Sequence, residues 1–347
     1  MKLLVSALEH SANVHLTSLK KELGDDVEFI GIFDKNLGDP IIDLQSLAIM
    51  GLVDAIKKLR FFFKLADEMV ELSRDADKVL LIDSSGFHLP LAKKIKKKYP
   101  DKEIIYYILP QAWAWKKKRI PVLARTIDKL ASILPFEPSY YPKEANIEYV
   151  GHPLLDQITV FKESLNETIN SVAYLPGSRK SEIKRLMPVF RELINTLNVD
   201  ATIVIPKHFS DQEVQELYGD LEGINISHDT HKTLYDVDFA FICSGTATLE
   251  ASLIGTPFIL AYKAKSLDYF IGSRLVKLYY VGLGNILLKK YNGTTLHPEF
   301  LQDTVTKANL LESFYNYNRD NFLQNSALLR EYLQHGSASR VAQLIKE

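Results

Sequence analysis

The sequence predicts an α/β protein built of two doubly wound, parallel-sheet domains that face a cleft. Three observations predict it. Short β-rich runs alternate with charged helical segments from Lys2 to about Val150, a second such series starts after the polar stretch Phe161–Asn170, and 347 residues suffice for two domains of ordinary size. With 46% hydrophobic and 24% charged residues, the composition supports two cores.

The first run, Leu3–Ala7, is too short for a signal-peptide core, because Glu9 and His10 interrupt it at once; it is expected to be a buried strand. Val27–Ile32, Val79–Ile82, Ile104–Ile108, Lys129–Leu134 and Ile147–Val150 follow as strands of the same sheet, giving a first domain over residues 1–165. The second domain, residues 166–319, takes Ser171–Leu175, Ala201–Ile205, Asn225–Ser227, Asp238–Cys243 and Pro257–Ala261. Asn321–Ile345 has helical periodicity, and a C-terminal helix over about 320–347 is expected to pack back on the first domain. Ligands of open α/β sheets sit beyond the carboxyl ends of the strands, which points to the cleft.

Two segments of the second series carry the chemistry. Val172-Ala-Tyr-Leu-Pro-Gly-Ser-Arg179 and Phe241-Ile-Cys-Ser-Gly-Thr-Ala-Thr-Leu-Glu250 each read as a strand ending in a small-residue turn that runs into a helix. Such a turn offers unpaired backbone N–H groups and a positive dipole end, a geometry that binds phosphate. Gly177 and Gly245 let the main chain approach a ligand, Ser178 lies in the same turn, Arg179 adds a planar fork of donors for a diphosphate, and Glu250 can accept from ribose hydroxyls. Neither turn is a Walker loop or a G-x-G-x-x-G turn, so a leaving diphosphate fits better than a hydrolysed triphosphate or a dinucleotide. The pair reads as a nucleotide-sugar site.

Charge and cysteine usage narrow the classes further. The 42 basic and 43 acidic residues leave a formal net charge of -1, which gives no reason to expect nucleic acid as a partner. The single cysteine, Cys243, excludes an internal disulfide, and its place at the end of a buried strand suits a reducing cytoplasm. No Asp-x-Asp pair stands at a strand end and no zinc spacing is present, so neither a metal nor another cofactor is expected. No run approaches the roughly 20 apolar residues of a spanning helix, so any membrane contact is expected at the surface.

Leu52–Val70 is the segment read as membrane-docking. Leu52, Ala55, Ile56, Leu59, Phe63, Ala66 and Val70 share one helical stripe, expected to face the core. Phe61 projects from the opposite side among Lys57, Lys64 and Asp54, with Leu65 one turn on, and Lys58 and Arg60 of the same segment join the docking candidates. An aromatic flanked by basic residues suits an interfacial helix; packing under a loop or a partner subunit fits the wheel equally well. The runs Lys93–Lys98 and Lys116–Arg119 extend the basic surface or are solvated helix faces.

A sugar transfer needs a base for the acceptor hydroxyl. Asp83 follows the strand Val79–Ile82 and precedes Ser84-Ser-Gly-Phe87, a turn that would expose its carboxylate; the competing role is a helix N-cap. Glu9, His10, His88 and His152 also stand near strand ends and rank below it.

These residues resemble one family, lipid-A-disaccharide synthase, an inverting glycosyltransferase with two Rossmann-like domains in the GT-B architecture. The resemblance rests on Leu47-Ala-Ile-Met-Gly51, Ile82-Asp83, Leu109-Pro-Gln-Ala-Trp-Ala-Trp115 with Arg119, Leu134-Pro-Phe-Glu137, Val150-Gly-His-Pro-Leu154, Leu175-Pro-Gly-Ser-Arg179 with Glu182, Ser244-Gly-Thr-Ala-Thr-Leu-Glu250 and Tyr280-Val-Gly-Leu-Gly-Asn285. It implies transfer of 2,3-diacylglucosamine from UDP-2,3-diacylglucosamine to the 6-hydroxyl of 2,3-diacylglucosamine 1-phosphate, with release of UDP. It further implies Asp83 as general base and Arg179, Ser244, Gly245, Thr246, Glu250 and Asn285 around UDP. Glu9, Ser11, Met50, Gln111 and Trp113 become acceptor or loop candidates, and the Leu52–Val70 helix the docking element. The implied setting is the cytoplasmic face of the inner membrane of a Gram-negative bacterium, with a homodimer as one assembly.

Three motifs depart from the family pattern. Ala-Gly-Glu-x-Ser-Gly-Asp becomes Ala7-Leu-Glu-His-Ser-Ala-Asn13, Asp-x-Pro-Asp-Phe becomes Asp83-Ser-Ser-Gly-Phe87, and Leu-Pro-Asn becomes Leu283-Gly-Asn285. The first loop is expected to lack glycine freedom, and Asp83 to lack a carboxylate neighbour that would raise its pKa. Two other readings share the fold: a UDP-sugar enzyme with a different lipid-linked acceptor or an epimerase, and a silent relative that binds UDP-sugar or lipid.

Overall fold

The computed structural model describes residues 1–43, 55–114, 116–264 and 280–347; for residue 43 and residues 55–59 the backbone alone is described. The chain divides into two compact units, Met1–Asp156 with Leu333–Glu347, and Gln157–Tyr332.

The described residues of the first unit form a seven-stranded sheet in the order β3-β2-β1-β4-β5-β6-β7. Its strands are β1 (Lys2–Ser6), β2 (Glu28–Phe33), β3 (Ile42–Asp43), β4 (Lys78–Ile82), β5 (Glu103–Tyr107), β6 (Lys129–Ser132) and β7 (Ile147–Tyr149). All six pairings are parallel. Parallel strands need crossovers and are covered on both faces, which is why β1, β4 and β5 read as nearly unbroken apolar runs with buried residues throughout. Leu4, Val79, Leu81, Ile104 and Tyr106 point into one core, and Leu3, Val5, Leu80, Ile82, Ile105 and Tyr107 into the other.

The second unit has a six-stranded sheet among its described residues, order β10-β9-β8-β11-β12-β13. Here β8 is Ser171–Leu175, β9 Asp200–Val204, β10 Asn225–Ser227, β11 Phe239–Cys243, β12 Phe258–Tyr262 and β13 Glu299–Leu301. These pairings are parallel too. In both sheets the order reverses beside the first strand of the unit, the place where an open sheet holds its ligand.

All eleven sequence-expected strands are present; β3 and β13, two and three residues long, were not expected. The C-terminal expectation changes. Ser337–Lys346 packs on the first unit, where Val341, Leu344 and Ile345 join its core. Phe322–Leu333 instead lies almost wholly within the second unit: Phe322 meets Phe258 edge-on at 6.3 Å, and Arg330 donates to the Leu253 carbonyl at 2.6 Å. Gly336 (φ 88) ends the run before the last helix, so 320–347 is two helices.

The helix Ala55–Leu72 is turned relative to the expected wheel. Leu65, Ala66, Met69 and Val70 are buried, Phe61 and Phe62 are half-buried against the same core, and Phe63 is 56% exposed. The row Phe62–Leu65–Met69 buries more apolar volume than the row Phe63–Ala66–Val70, and burial scales with area. Leu65 is therefore core, and the exposed aromatic is Phe63. Arg60 and Lys64 are exposed as expected, whereas Lys57 and Lys58 fall where only backbone is described and Met50 lies outside the described residues. The lysine run is largely paired: Lys94 with Asp67 at 2.6 Å, Lys98 with Glu71, and Lys96 with Asp128 at 2.8 Å.

Candidate active site

In the first unit the site is built where β4 ends. The Asp83 N–H continues the ladder to the Tyr107 carbonyl at 3.1 Å, but Asp83 (φ 57) and Ser84 (φ 40) then turn left-handed. Two consecutive non-glycine residues there cost about 1–2 kcal/mol each. What holds them is a pair of donors on the Asp83 carbonyl, the Tyr106 hydroxyl at 2.5 Å and His88 Nδ1 at 2.7 Å. A carbonyl only accepts, so Nδ1 carries the proton. His88 Nε2 then accepts from Ser6 Oγ at 2.8 Å, and burial pushes the ring down to about 4, keeping it neutral.

The turn frees the carboxylate. The N-cap of the helix Ser85–Lys98 is Ser84, not Asp83, so the capping role does not apply. Asp83 is half-buried and its pKa is raised, by desolvation first and by the Glu9 charge second, with the Ser84 N–H opposing. Glu9 thus corrects the expectation that Asp83 has no carboxylate neighbour. Ser84 Oγ donates to Glu9 Oε1 at 3.1 Å and ties the two loops together.

The altered loop 7–13 folds without left-handed backbone. Glu9 is extended (φ -121), and the buried Asn13 amide donates to the carbonyls of Ala7 at 2.8 Å and Glu9 at 2.9 Å while its oxygen accepts from the Asp34 N–H at 2.7 Å. An aspartate could not donate to those carbonyls. Ser11 and Gln111 are exposed. Trp113 is not: 4% exposed, it stands edge-on to Phe136 at 4.8 Å and belongs to the core.

In the second unit, β8 runs through Pro176 and Gly177 (φ 108) to Arg179, the N-cap of the helix Lys180–Ile194. A Cβ on Gly177 would come within 2.7 Å of Glu182 Oε2 and 3.2 Å of Cys243 Sγ, so only glycine fits. Arg179 and Ser178 are exposed, but Arg179 Nη1 donates to Glu182 Oε1 at 2.8 Å and its N–H to Glu182 Oε2 at 3.3 Å. One donor of this helix end is therefore already taken, contrary to the expectation that both turns present unpaired donors.

The second turn is open. Gly245 caps the helix Thr246–Ile254 without any side-chain cap, and Gly245 and Thr246 are exposed with Ser244 half-buried. Glu250 lies one turn in, 3.6 Å from His231 Nε2, a contact that raises the His231 pKa. Nothing in the sequence singled out His231, because its helix, Thr230–Asp236, has no pattern tying it to Glu250.

Asn285 departs from its expected role. It is fully buried, donates to His297 O at 2.9 Å and Glu299 Oε1 at 2.8 Å, and accepts from the N–H groups of Leu296 at 2.7 Å and His297 at 3.2 Å. Its four hydrogen-bonding positions are filled within the protein, so it shapes the segment rather than holding a ligand. Glu299 accepts from the N–H groups of Val281 at 2.7 Å and Gly282 at 3.1 Å, and burial raises its pKa.

A lipid-A-disaccharide synthase from Helicobacter acinonychis is 46% identical over 353 residues, covering 98% of this chain and 96% of its own length. Among solved structures, the UDP-GlcNAc 2-epimerase from Neisseria meningitidis bound to UDP-GlcNAc is 12% identical with a TM-score of 0.63, covering 100% of each chain. The calicheamicin glycosyltransferase CalG4 is 11% identical with a TM-score of 0.62, covering 99% of this chain and 97% of that one. At such identities the structures speak for the shared GT-B fold alone. The family model described as lipid-A-disaccharide synthetase matches residues 3–345, and with it the chain belongs to the lipid-A-disaccharide synthase family.

Proposed function

We propose that the chain forms the lipid A disaccharide. In this reading it transfers 2,3-diacylglucosamine from UDP-2,3-diacylglucosamine to 2,3-diacylglucosamine 1-phosphate. Asp83 takes the proton of the acceptor 6-hydroxyl, the resulting oxygen attacks the anomeric carbon from the face opposite the leaving group, and the bond to UDP breaks, inverting the anomer. UDP leaves as a diphosphate held by the open turn at Gly245 and Thr246, the Gly177–Arg179 turn and Glu250. The observation that carries the reading is Asp83 itself: a half-buried carboxylate at a strand end, not used as a cap, with its pKa raised. Mixing the two acylated glucosamine substrates and measuring UDP tests it. Stoichiometric release of UDP with the disaccharide is expected, and binding of both without turnover would favour a silent relative.

On the proposed docking helix the aromatic that meets the membrane is Phe63, since Phe61 packs against the core. Among the described residues no helix is long and apolar enough to cross a membrane. Phe63 is exposed beside Arg60 and Lys64, which suits shallow insertion at the cytoplasmic face of the inner membrane of a Gram-negative bacterium. Phe63→Ser is expected to weaken partition onto anionic vesicles on the order of tenfold. With Arg60 and Lys64 exposed, that partition should weaken as salt rises, although Lys94 and Lys98 are already paired with Asp67 and Glu71; unchanged partition in the variant would remove Phe63 from the role. The family resemblance also supports a homodimer.

A further inference from the structure

We propose that His88, with Tyr106, is a positioning residue that aims the Asp83 carboxylate by gripping the Asp83 backbone carbonyl. The inference rests on the reading of Asp83 as general base and adds the device that orients it.

The Cα–Cβ direction of a residue is set once its N–H and C=O are both fixed, and that backbone limits the rotamers from which its carboxylate can point. At Asp83 the N–H is held by the Tyr107 carbonyl at 3.1 Å. The carbonyl is held by the Tyr106 hydroxyl at 2.5 Å and His88 Nδ1 at 2.7 Å. These holders come from different elements, β5 and the helix Ser85–Lys98, and His88 is anchored in turn to Ser6 Oγ at the end of β1 at 2.8 Å. Without the grip, an aspartate relaxes from the left-handed region toward the extended one, and its carboxylate swings to a different direction. The neutral ring is what makes the relay one-directional: Ser6 donates to Nε2, and Nδ1 donates to the carbonyl. An imidazolium would have to donate from Nε2 and reverse the Ser6 hydrogen bond.

Both holders bond the Asp83 carbonyl, and the Tyr106 hydroxyl also feels the Asp83 charge. The prediction is therefore a change in turnover without a change in nucleotide binding. In His88→Leu and Tyr106→Phe we expect kcat to fall ten- to hundredfold while the KM for the UDP-sugar and the Kd for UDP stay within twofold. The acid limb of the kcat profile should move down, because a carboxylate that swings toward water and away from Glu9 loses what raises its pKa. His88→Asn carries its amide nitrogen where Nδ1 sits and should restore most of kcat.

Tyr106→Phe removes a single oxygen and leaves the ring in the core, which keeps the test valid if His88→Leu fails to fold; circular dichroism and melting check both. Asp83→Asn is run beside them. Should Asp83→Asn lose turnover while folded Tyr106→Phe and His88→Leu keep kcat within twofold and the acid limb unmoved, the positioning role is wrong and the base stands. Should Asp83→Asn keep turnover, the base assignment falls and the positioning role with it.

Discussion

Replacing Asp83 by asparagine is expected to lower kcat by roughly 10²–10⁴-fold, the range over which a positioned general base acts, with the Kd for UDP unchanged. Asparagine preserves shape and the backbone contacts at Tyr106, Tyr107 and His88 while removing the proton acceptor. The pH profile gives the second readout. Desolvation and the Glu9 charge raise the Asp83 pKa, so the acid limb of kcat should lie above the ordinary aspartate range, and Glu9→Gln should move it down by removing the second cause. Near-normal turnover in Asp83→Asn would exclude it as the base.

The largest stability effect is expected at Glu137, where burial pushes the carboxyl up from 4.5 to about 7. The side chain is 1% exposed; Ser132 Oγ donates to Oε2 at 2.6 Å, and Oε1 has no hydrogen-bond partner among the described residues. With the folded pKa above the unfolded one, the folded state holds the proton longer. Its contribution is complete below 4.5 and disappears as the pH rises through about 7, a difference of about 3 kcal/mol between the limits. Three neutral histidines of the same unit, the half-buried His15 and the buried His88 and His152, act in the opposite sense, losing stability as the pH falls below 6.5. Glu137→Gln isolates the carboxyl: the melting difference between variant and wild type should shift in the variant's favour by about 5–10 °C from pH 4.5 to pH 8.5. A pH-independent difference would show that Glu137 does not titrate in this window.

Much of this was legible in the sequence because parallel strands advertise themselves. Runs such as Val79–Ile82 and Phe239–Cys243 are apolar without interruption since both faces of the sheet are covered, and a glycine or aspartate at their ends marks where the ligand side begins. Periodicity says less about rotation. On the helix Ala55–Leu72 two neighbouring stripes are both apolar, and choosing between Phe63 and Phe62 required knowing which row had the larger partner surface. Trp113 and Asn285 were misplaced for a related reason. A motif shows that a residue matters, whereas its burial shows whether it faces a ligand or holds the segment that does.

Relations across long sequence distance were invisible as well. Glu9 beside Asp83, His231 beside Glu250 and Ser6 behind His88 are separated by up to 82 residues, and strand order brings them together. No local spacing records such neighbours.

The ion pair between Arg179 and Glu182 has a consequence for selectivity. With its guanidinium already matched by an internal carboxylate, the resting turn presents little surplus positive potential, so free inorganic phosphate meets a poor electrostatic trap. In the proposed UDP site the fork would offer a diphosphate the donors that Glu182 does not take, so the nucleotide would be held beside a carboxylate rather than by a bare cation.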